Sequence, residues 1–368
     1  MKIPFVNLIE QYKSIKTEID FKISEVISNA NFIGGNYVEQ FEVDFANLIG
    51  VNHCISVANG TDSLYIIMKM LGINEEHEVL TVSNSWISSS ETISQTGAKP
   101  VFIDINPDYY SIDESLIEKK INSKTKAIIP VHLYGQACNM DIIMKIAQKH
   151  DLYVIEDCAQ AHLAEFNNQT VGSFGIASSF SFYPGKNLGA YGDAGCILTN
   201  NSKLAKLFRM YARHGGLKKH EHIIEGINSR MDNIQAAVLT TKLKYLDNWT
   251  LKRISRAKLY SKLLNEVDEV TVPAIRPNSK HVFHVYVVRA KQRDRLSKFL
   301  NLNGIQTGIH YPKILPELDA YQYLNLEKTE FKISSQYQNE ILSLPIFPEL
   351  KDEEIMYIVE KTKEFYKN

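Results

Sequence analysis

Between residues 50 and 200 the chain alternates short apolar runs with helical stretches, and this alternation restricts the fold more than any other feature. Cys54–Val57, Val79–Val82, Val101–Ile103, Ala127–Ile129 and Leu152–Ile155 have strand length. The intervening stretches, such as Ile142–His150, have helical spacing. That order predicts βαβ units, hence an α/β fold with a mostly parallel sheet. Such strands are covered on both faces and read as continuous apolar runs. Ligands of open α/β sheets bind at the C-terminal ends of the strands, so the polar residues closing each run are the first candidates for a site.

Three of those ends carry chemistry. The run Leu152–Ile155 closes on Glu156 and Asp157, and Cys158-Ala159-Gln160 follows, placing a carboxylate and an amide at one crevice. Taken alone, Asp157 could equally cap the next helix. The second end is the run Ala177–Phe182, small and aromatic, which leads to Lys186. Gly185, Gly189, Gly192 and Gly195 surround this lysine, so the backbone can turn tightly and approach a ligand closely. A lysine held in a partly apolar site loses solvation, and its neutral amine becomes available to attack a carbonyl. The alternative is a loop lysine that reaches out to water. At the third end, Ala58-Asn59-Gly60-Thr61-Asp62 follows a short strand and opens a helix, whose free N–H groups can bind an anion. Pyridoxal 5'-phosphate (PLP) needs such a set: a lysine to hold it, an acid against the pyridine nitrogen, a donor to the phenolic oxygen and a phosphate cradle.

With these motifs in order, the chain resembles the nucleotide-sugar aminotransferases of the DegT–StrS family, which have the aspartate-aminotransferase fold type (fold type I) of PLP enzymes. The likeness runs from Ile3-Pro4-Phe5 nearly to the C-terminus. It rests on Asn59-Gly60-Thr61-Asp62, Glu156–Gln160, Ser181–Lys186, Asn228-Ser229-Arg230-Met231-Asp232 and His310-Tyr311-Pro312. The resemblance implies that Lys186 carries PLP as a Schiff base, Asp157 pairs with the pyridinium and Gln160 bonds the cofactor's O3′. It assigns Ser181 and the Gly60-Thr61-Asp62 turn to the phosphate, Trp86 to the face of the ring and Asn228 to the phosphate of a partner subunit. On the sugar side it implies His310 and Tyr311, and Tyr183, three residues from Lys186, has a place beside the sugar. The patch Lys218-Lys219-His220 reads as a solvated loop or, through Lys219, as a contact to the diphosphate. Relatives often carry a second histidine a few residues after the His-Tyr pair, where this chain has Ile314-Leu315-Pro316.

The implied reaction moves an amine from glutamate, released as 2-oxoglutarate, to a nucleotide-linked keto sugar, with the cofactor cycling between PLP and pyridoxamine phosphate (PMP). The freed Lys186 amine serves as base and acid. No arginine can be assigned to the donor's carboxylate. The run Tyr183–Gly195 looks like the branch that aminates C3 of dTDP-3-keto-6-deoxyhexoses. The expected product is a dTDP-3-amino-3,6-dideoxyhexose of gluco or galacto configuration, for surface polysaccharide or glycoside synthesis. The alternative is amination at C4 of a UDP- or dTDP-4-keto sugar. Dehydratase relatives replace the lysine with histidine, and a non-catalytic or regulatory protein of this fold should have lost Lys186, Asp157 or the phosphate turn. All three are present.

The chain has 41 Lys+Arg against 42 Asp+Glu, so no bulk field draws it to nucleic acid or membranes. Cysteines 54, 138, 158 and 196 lack paired spacing, suggesting buried thiols of a reducing compartment rather than disulfides, and no metal site is expected. No apolar run approaches a membrane span, and the expectation is a cytoplasmic homodimer with shared active sites. Asn233–Leu264 lacks Pro and Gly and reads as a long helix with room for one break. His281–Val288 reads as a strand, Asp294–Asn303 as a helix ended by Gly304, and Ile305–Ile309 as another strand. A large domain over 1–250 and a small α+β domain over 251–368 follow.

Overall fold

The computed structural model describes residues 1–218 and 220–367. Its helices are α1 (Leu8–Ser28), α2 (Asn36–Ile49), α3 (Gly60–Met70), α4 (Ser88–Gln95), α5 (Glu114–Ile117), α6 (Met140–Lys149), α7 (Ser202–Tyr211), α8 (Asn233–Leu243), α9 (Leu246–Leu264), α10 (Arg293–Leu302), α11 (Lys332–Tyr337) and α12 (Asp352–Lys367). The strands begin with β1 (His53–Val57), β2 (Glu78–Val82), β3 (Lys99–Ile103), β4 (Thr125–Ile129) and β5 (Tyr153–Asp157). They continue with the short pair β6 (Glu165–Phe166) and β7 (Gln169–Thr170), then β8 (Ala177–Ser181) and β9 (Gly195–Thr199). The last four are β10 (Val270–Thr271), β11 (Ser279–Lys280), β12 (Tyr286–Ala290) and β13 (Ile341–Leu344).

Seven strands form the main sheet, ordered β1-β9-β8-β5-β4-β2-β3. All neighbours run parallel except β9, which is antiparallel to both β1 and β8. Residues of each run alternate between two apolar layers. Leu80, Ile128 and Val154 pack on one side of the sheet, with α2 and α6. Val79, Ile129 and Ile155 pack on the other, with α3 and α7. Burial on both faces explains the continuous apolar runs.

A second core gathers Ile3 with side chains of α9, β12, α10, β13 and α12. Segment 314–331 packs elsewhere: Ile314, Leu315, Tyr321 and Phe331 enclose Phe102 of β3. The Asn233–Leu264 helix is broken once, between α8 and α9 at Lys244-Tyr245. No helix among the described residues is long and apolar enough to cross a membrane.

Two strand expectations need correction. Within His281–Val288 the ladder begins only at Tyr286. The preceding N–H groups of Val282 and His284 donate instead to the carbonyls of Gly135 and Tyr134, and Phe283 has a positive φ of 48°. Ile305–Ile309 is not a strand either. It makes isolated bridges, Ile305 to Ile3 and Gly308 to Ser343, as the chain crosses from one partner to the next.

At the end of β5 the alternation sends Glu156 and Asp157 to opposite faces. The buried Glu156 carboxylate accepts N–H groups of Gly172 (2.7 Å), Phe174 (2.8 Å) and Gly175 (2.8 Å), and lies 3.2 Å from His132 Nε2. Glu156 is thus a staple for the loop before β8, not a site residue. Glu156→Ala orphans those amides and should destabilise the protein by about 3–5 kcal/mol. Denaturant titration checks this, and a loss below about 1 kcal/mol would refute the staple role.

Candidate active site

The register of three strands builds the site. Gly195, the first residue of β9, stands opposite Val57 on one side and Ser181 on the other. The C-terminal ends of β1 and β8 therefore lie at the same edge, and the turn after β1 falls beside Ser181. The approach is close. A Cβ on Gly195 would lie 2.4 Å from Asn59 C, and one on Gly60 would lie 2.8 Å from Ser181 Cβ. Ser179 Oγ donates to Gly60 O at 3.1 Å, tying the first turn of α3 to β8.

At the start of α3, Asn59 caps the helix by accepting from Asp62 N at 2.7 Å. The Gly60 and Thr61 amides have no acceptor among the described residues. Helix N-termini leave such donors free, and they favour an anion. Thr61 Oγ1 and Ser181 Oγ add hydroxyls, Thr61 being held 2.7 Å from Ser88 Oγ. Asp62 departs from its expected role. Its N–H is spent on Asn59, and its carboxylate accepts from Ser229 Oγ at 2.6 Å. Asp62 therefore braces the 228–231 segment and offers an anion no donor.

Asp157 ends β5, next to β8 in the sheet, and is buried. Ser89 Oγ donates to its Oδ2 at 2.9 Å, and Ala159 N to its Oδ1 at 3.1 Å. Burial raises its pKa above the usual carboxylate value, while those two donors and the Lys186 charge pull it down. A cation at Asp157 would restore the charged form. Gln160 is fixed from both ends of its amide. Oε1 accepts from Tyr134 N at 2.7 Å, and Nε2 donates to Tyr311 Oη at 3.0 Å. The second Nε2 hydrogen has no acceptor among the described residues.

Lys186 is half-buried after β8. Burial brings its amine down to about 8, with the Asp157 carboxylate opposing the shift. Near neutral pH a usable fraction is thus uncharged. Histidines around it stay neutral. Burial and then the Lys186 charge push His310 down to about 4, His162 to about 3 and His284 well below its ordinary value.

The remaining candidates divide by exposure. Trp86 is 59% exposed and tilts against Tyr311 with ring centroids 5.8 Å apart, which rules out an ordinary core tryptophan. Tyr183 is 58% exposed. His310 stacks on Phe5, and its Nδ1 lies 2.8 Å from Ser343 Oγ. Tyr134 Oη donates to His310 O and accepts from Asn84 Nδ2. Asn228 is exposed, and its side chain makes no hydrogen bond among the described residues. Lys219 lies outside the described residues.

Sequence reasoning missed Ser89, Tyr134, Asn187 and His284. Asn187 Nδ2 donates to Val282 O at 3.3 Å, so its Oδ1 faces His284 Nδ1 at 3.2 Å, and that nitrogen carries the proton. Adjacency to Lys186 could have flagged Asn187. Nothing local signals Tyr134, whose φ is +61°. All four cysteines are free and buried, as read from their spacing.

The donor set fits PLP: free amides and hydroxyls for its phosphate, a buried acid, a fixed amide donor and an amine of lowered pKa. Comparison with known proteins agrees. The DegT/DnrJ/EryC1/StrS aminotransferase family profile matches residues 13–363. A dTDP-3-amino-3,6-dideoxy-alpha-D-galactopyranose transaminase of Aneurinibacillus thermoaerophilus is 42% identical over 363 residues, 99% of each chain. A "pleiotropic regulatory protein" of Geobacillus stearothermophilus is also 42% identical, over 370 residues and 100% of each chain. The solved structure of DesV from S. venezuelae in complex with a ketimine intermediate superposes with a TM-score of 0.97 at 34% identity, covering 100% of this chain and 99% of that one. The chain belongs to the DegT/DnrJ/EryC1/StrS aminotransferase family.

Proposed function

We propose that this aminotransferase uses PLP to move an amino group from glutamate to C3 of a dTDP-linked 3-keto-6-deoxyhexose, giving a dTDP-3-amino-3,6-dideoxyhexose. The observation that carries the chemistry is the convergence of Lys186, Asp157 and Gln160 with the free amides at the start of α3. The observation that carries the substrate is the 42% identity, along 99% of both chains, to the galactopyranose transaminase.

When bound, PLP supplies an electron sink for the carbanion formed at the donor's α-carbon. The residues have separable parts. Lys186 Nζ would hold the cofactor, and its free amine would serve as base and acid for the proton at the donor's α-carbon. Asp157 would meet the protonated pyridine nitrogen, Gln160 Nε2 would donate to the phenolic oxygen, and Trp86 would cover the ring face. Gly60, Thr61 and Ser181 would take the phosphate. Tyr183, His310 and Tyr311 border the sugar, and Lys219 belongs with the nucleotide diphosphate. His310, being neutral, can accept a hydrogen bond from a sugar hydroxyl but brings no positive charge.

Asn228 completes the phosphate site of a second copy, in a cytoplasmic homodimer with shared sites. Its side chain, exposed and without a hydrogen bond among the described residues, supports that reading. The name of the Geobacillus relative points to regulation instead. The intact set around Lys186 favours turnover.

Incubation with glutamate and a panel of dTDP- and UDP-keto sugars tests the substrate. NMR of the product should place the new amine on C3 of a dTDP-linked 6-deoxyhexose. An amine on C4, or turnover only with a UDP-linked 4-keto sugar, overturns the regiochemistry, and no turnover with any of them favours the regulatory reading. Subunit exchange tests the dimer. Mixing inactive Lys186→Ala with impaired Asn228→Ala should restore about half of one wild-type dimer's activity per heterodimer, because both lesions fall in one site. No recovery after exchange contradicts a shared site.

A further inference from the structure

The loop that carries Lys186 is closed on itself. Lys186 N donates to Tyr183 O and Ala190 N to Phe182 O, each at 2.8 Å. Gly189 packs so tightly on the opposite limb that a Cβ there would lie 2.3 Å from Pro184 O. Residues 183–190 therefore move as one piece, and whatever holds Gly189 and Tyr191 holds Lys186.

What holds them comes from α8. Lys242 Nζ donates to Gly189 O at 2.7 Å and sits over the Tyr191 ring, 4.3 Å from its centroid. Gln235 Oε1 accepts from Tyr191 N at 2.9 Å. Gln235 and Lys242 are seven residues apart, about two turns, so they share one face of the helix. Lys242 is an expensive choice for this place. It is 1% exposed and makes no ion pair among the described residues, and burial pushes its amine down to about 8 with only the Glu349 charge opposing. An aliphatic side chain would fill the volume without that cost but would leave the Gly189 carbonyl unpaired.

We propose that Gln235 and Lys242 are positioning residues for Lys186, fixing the closed loop from behind so that the amine stands at a set place above Asp157. Among the described residues, neither side chain hydrogen-bonds to a candidate cofactor or sugar residue, so their effect reaches the reaction through the loop. The inference rests on Lys186 being the residue that holds PLP.

The test uses PLP-loaded protein carrying Gln235→Leu, Gln235→Glu or Lys242→Met. The glutamate half-reaction is followed by loss of the bound cofactor's visible absorbance, and visible circular dichroism reports the cofactor's setting. Gln235→Leu and Lys242→Met should lower the saturating rate about 10-fold or more, with half-saturating glutamate within about threefold of wild type, because misplacement of a reacting group costs rate rather than binding. The visible dichroism should change in both. Gln235→Glu keeps the acceptor for Tyr191 N and should stay within about threefold of the wild-type rate. If Lys242→Met does not fold, Gln235→Leu decides. A folded Gln235→Leu protein with wild-type rate and dichroism overturns the proposal, as does a Gln235→Glu protein as slow as Gln235→Leu. A wild-type protein that takes up no PLP, or does not respond to glutamate, refutes the functional reading instead.

Discussion

The site depends on one close approach, that of Gly195 between Val57 and Ser181 at the edge of the sheet. Because β9 is antiparallel to both neighbours, its first residue meets the last residues of β1 and β8. A side chain at Gly195 would strike Asn59, and one at Gly60 would strike Ser181. The two glycines let the start of α3 lie directly against the strand that leads to Lys186. An anion cradle and an amine, more than 120 residues apart in sequence, become neighbours through this close approach, which Ser179 Oγ reinforces by donating to Gly60 O.

Charge placement follows from strand alternation. Glu156 and Asp157 are adjacent in sequence, yet one is spent on loop amides and the other faces the site. Burial raises Asp157 and lowers Lys186, while His310, His162 and His284 stay neutral. Such a set discourages isolated charges and favours a ligand that brings a cationic ring nitrogen and an anionic phosphate. The shifts are those expected of a PLP site before the cofactor arrives.

Much of this was legible in the sequence. Apolar runs located the parallel strands because burial on both faces leaves little else. Asp157, Gln160 and Lys186 were readable because their positions at strand ends and among glycines are unusual for such residues. What failed was long-range. Val282 and His284 gave their amides to residues 134–135, which no local pattern foretells, so the predicted strand began several residues late. Asp62 read as part of the cradle because its role depends on Ser229, 167 residues away. Tyr134 and the α8 side chains behind the Lys186 loop were invisible for the same reason.

The central claim is that Lys186 is the amine that holds PLP. Borohydride reduction of the PLP-loaded protein, followed by peptide mapping, tests it most directly. The account predicts that the visible absorbance disappears and that the phosphopyridoxyl mass falls on the peptide containing Lys186. An adduct on another lysine, or none at all on a protein that turns over, would contradict it.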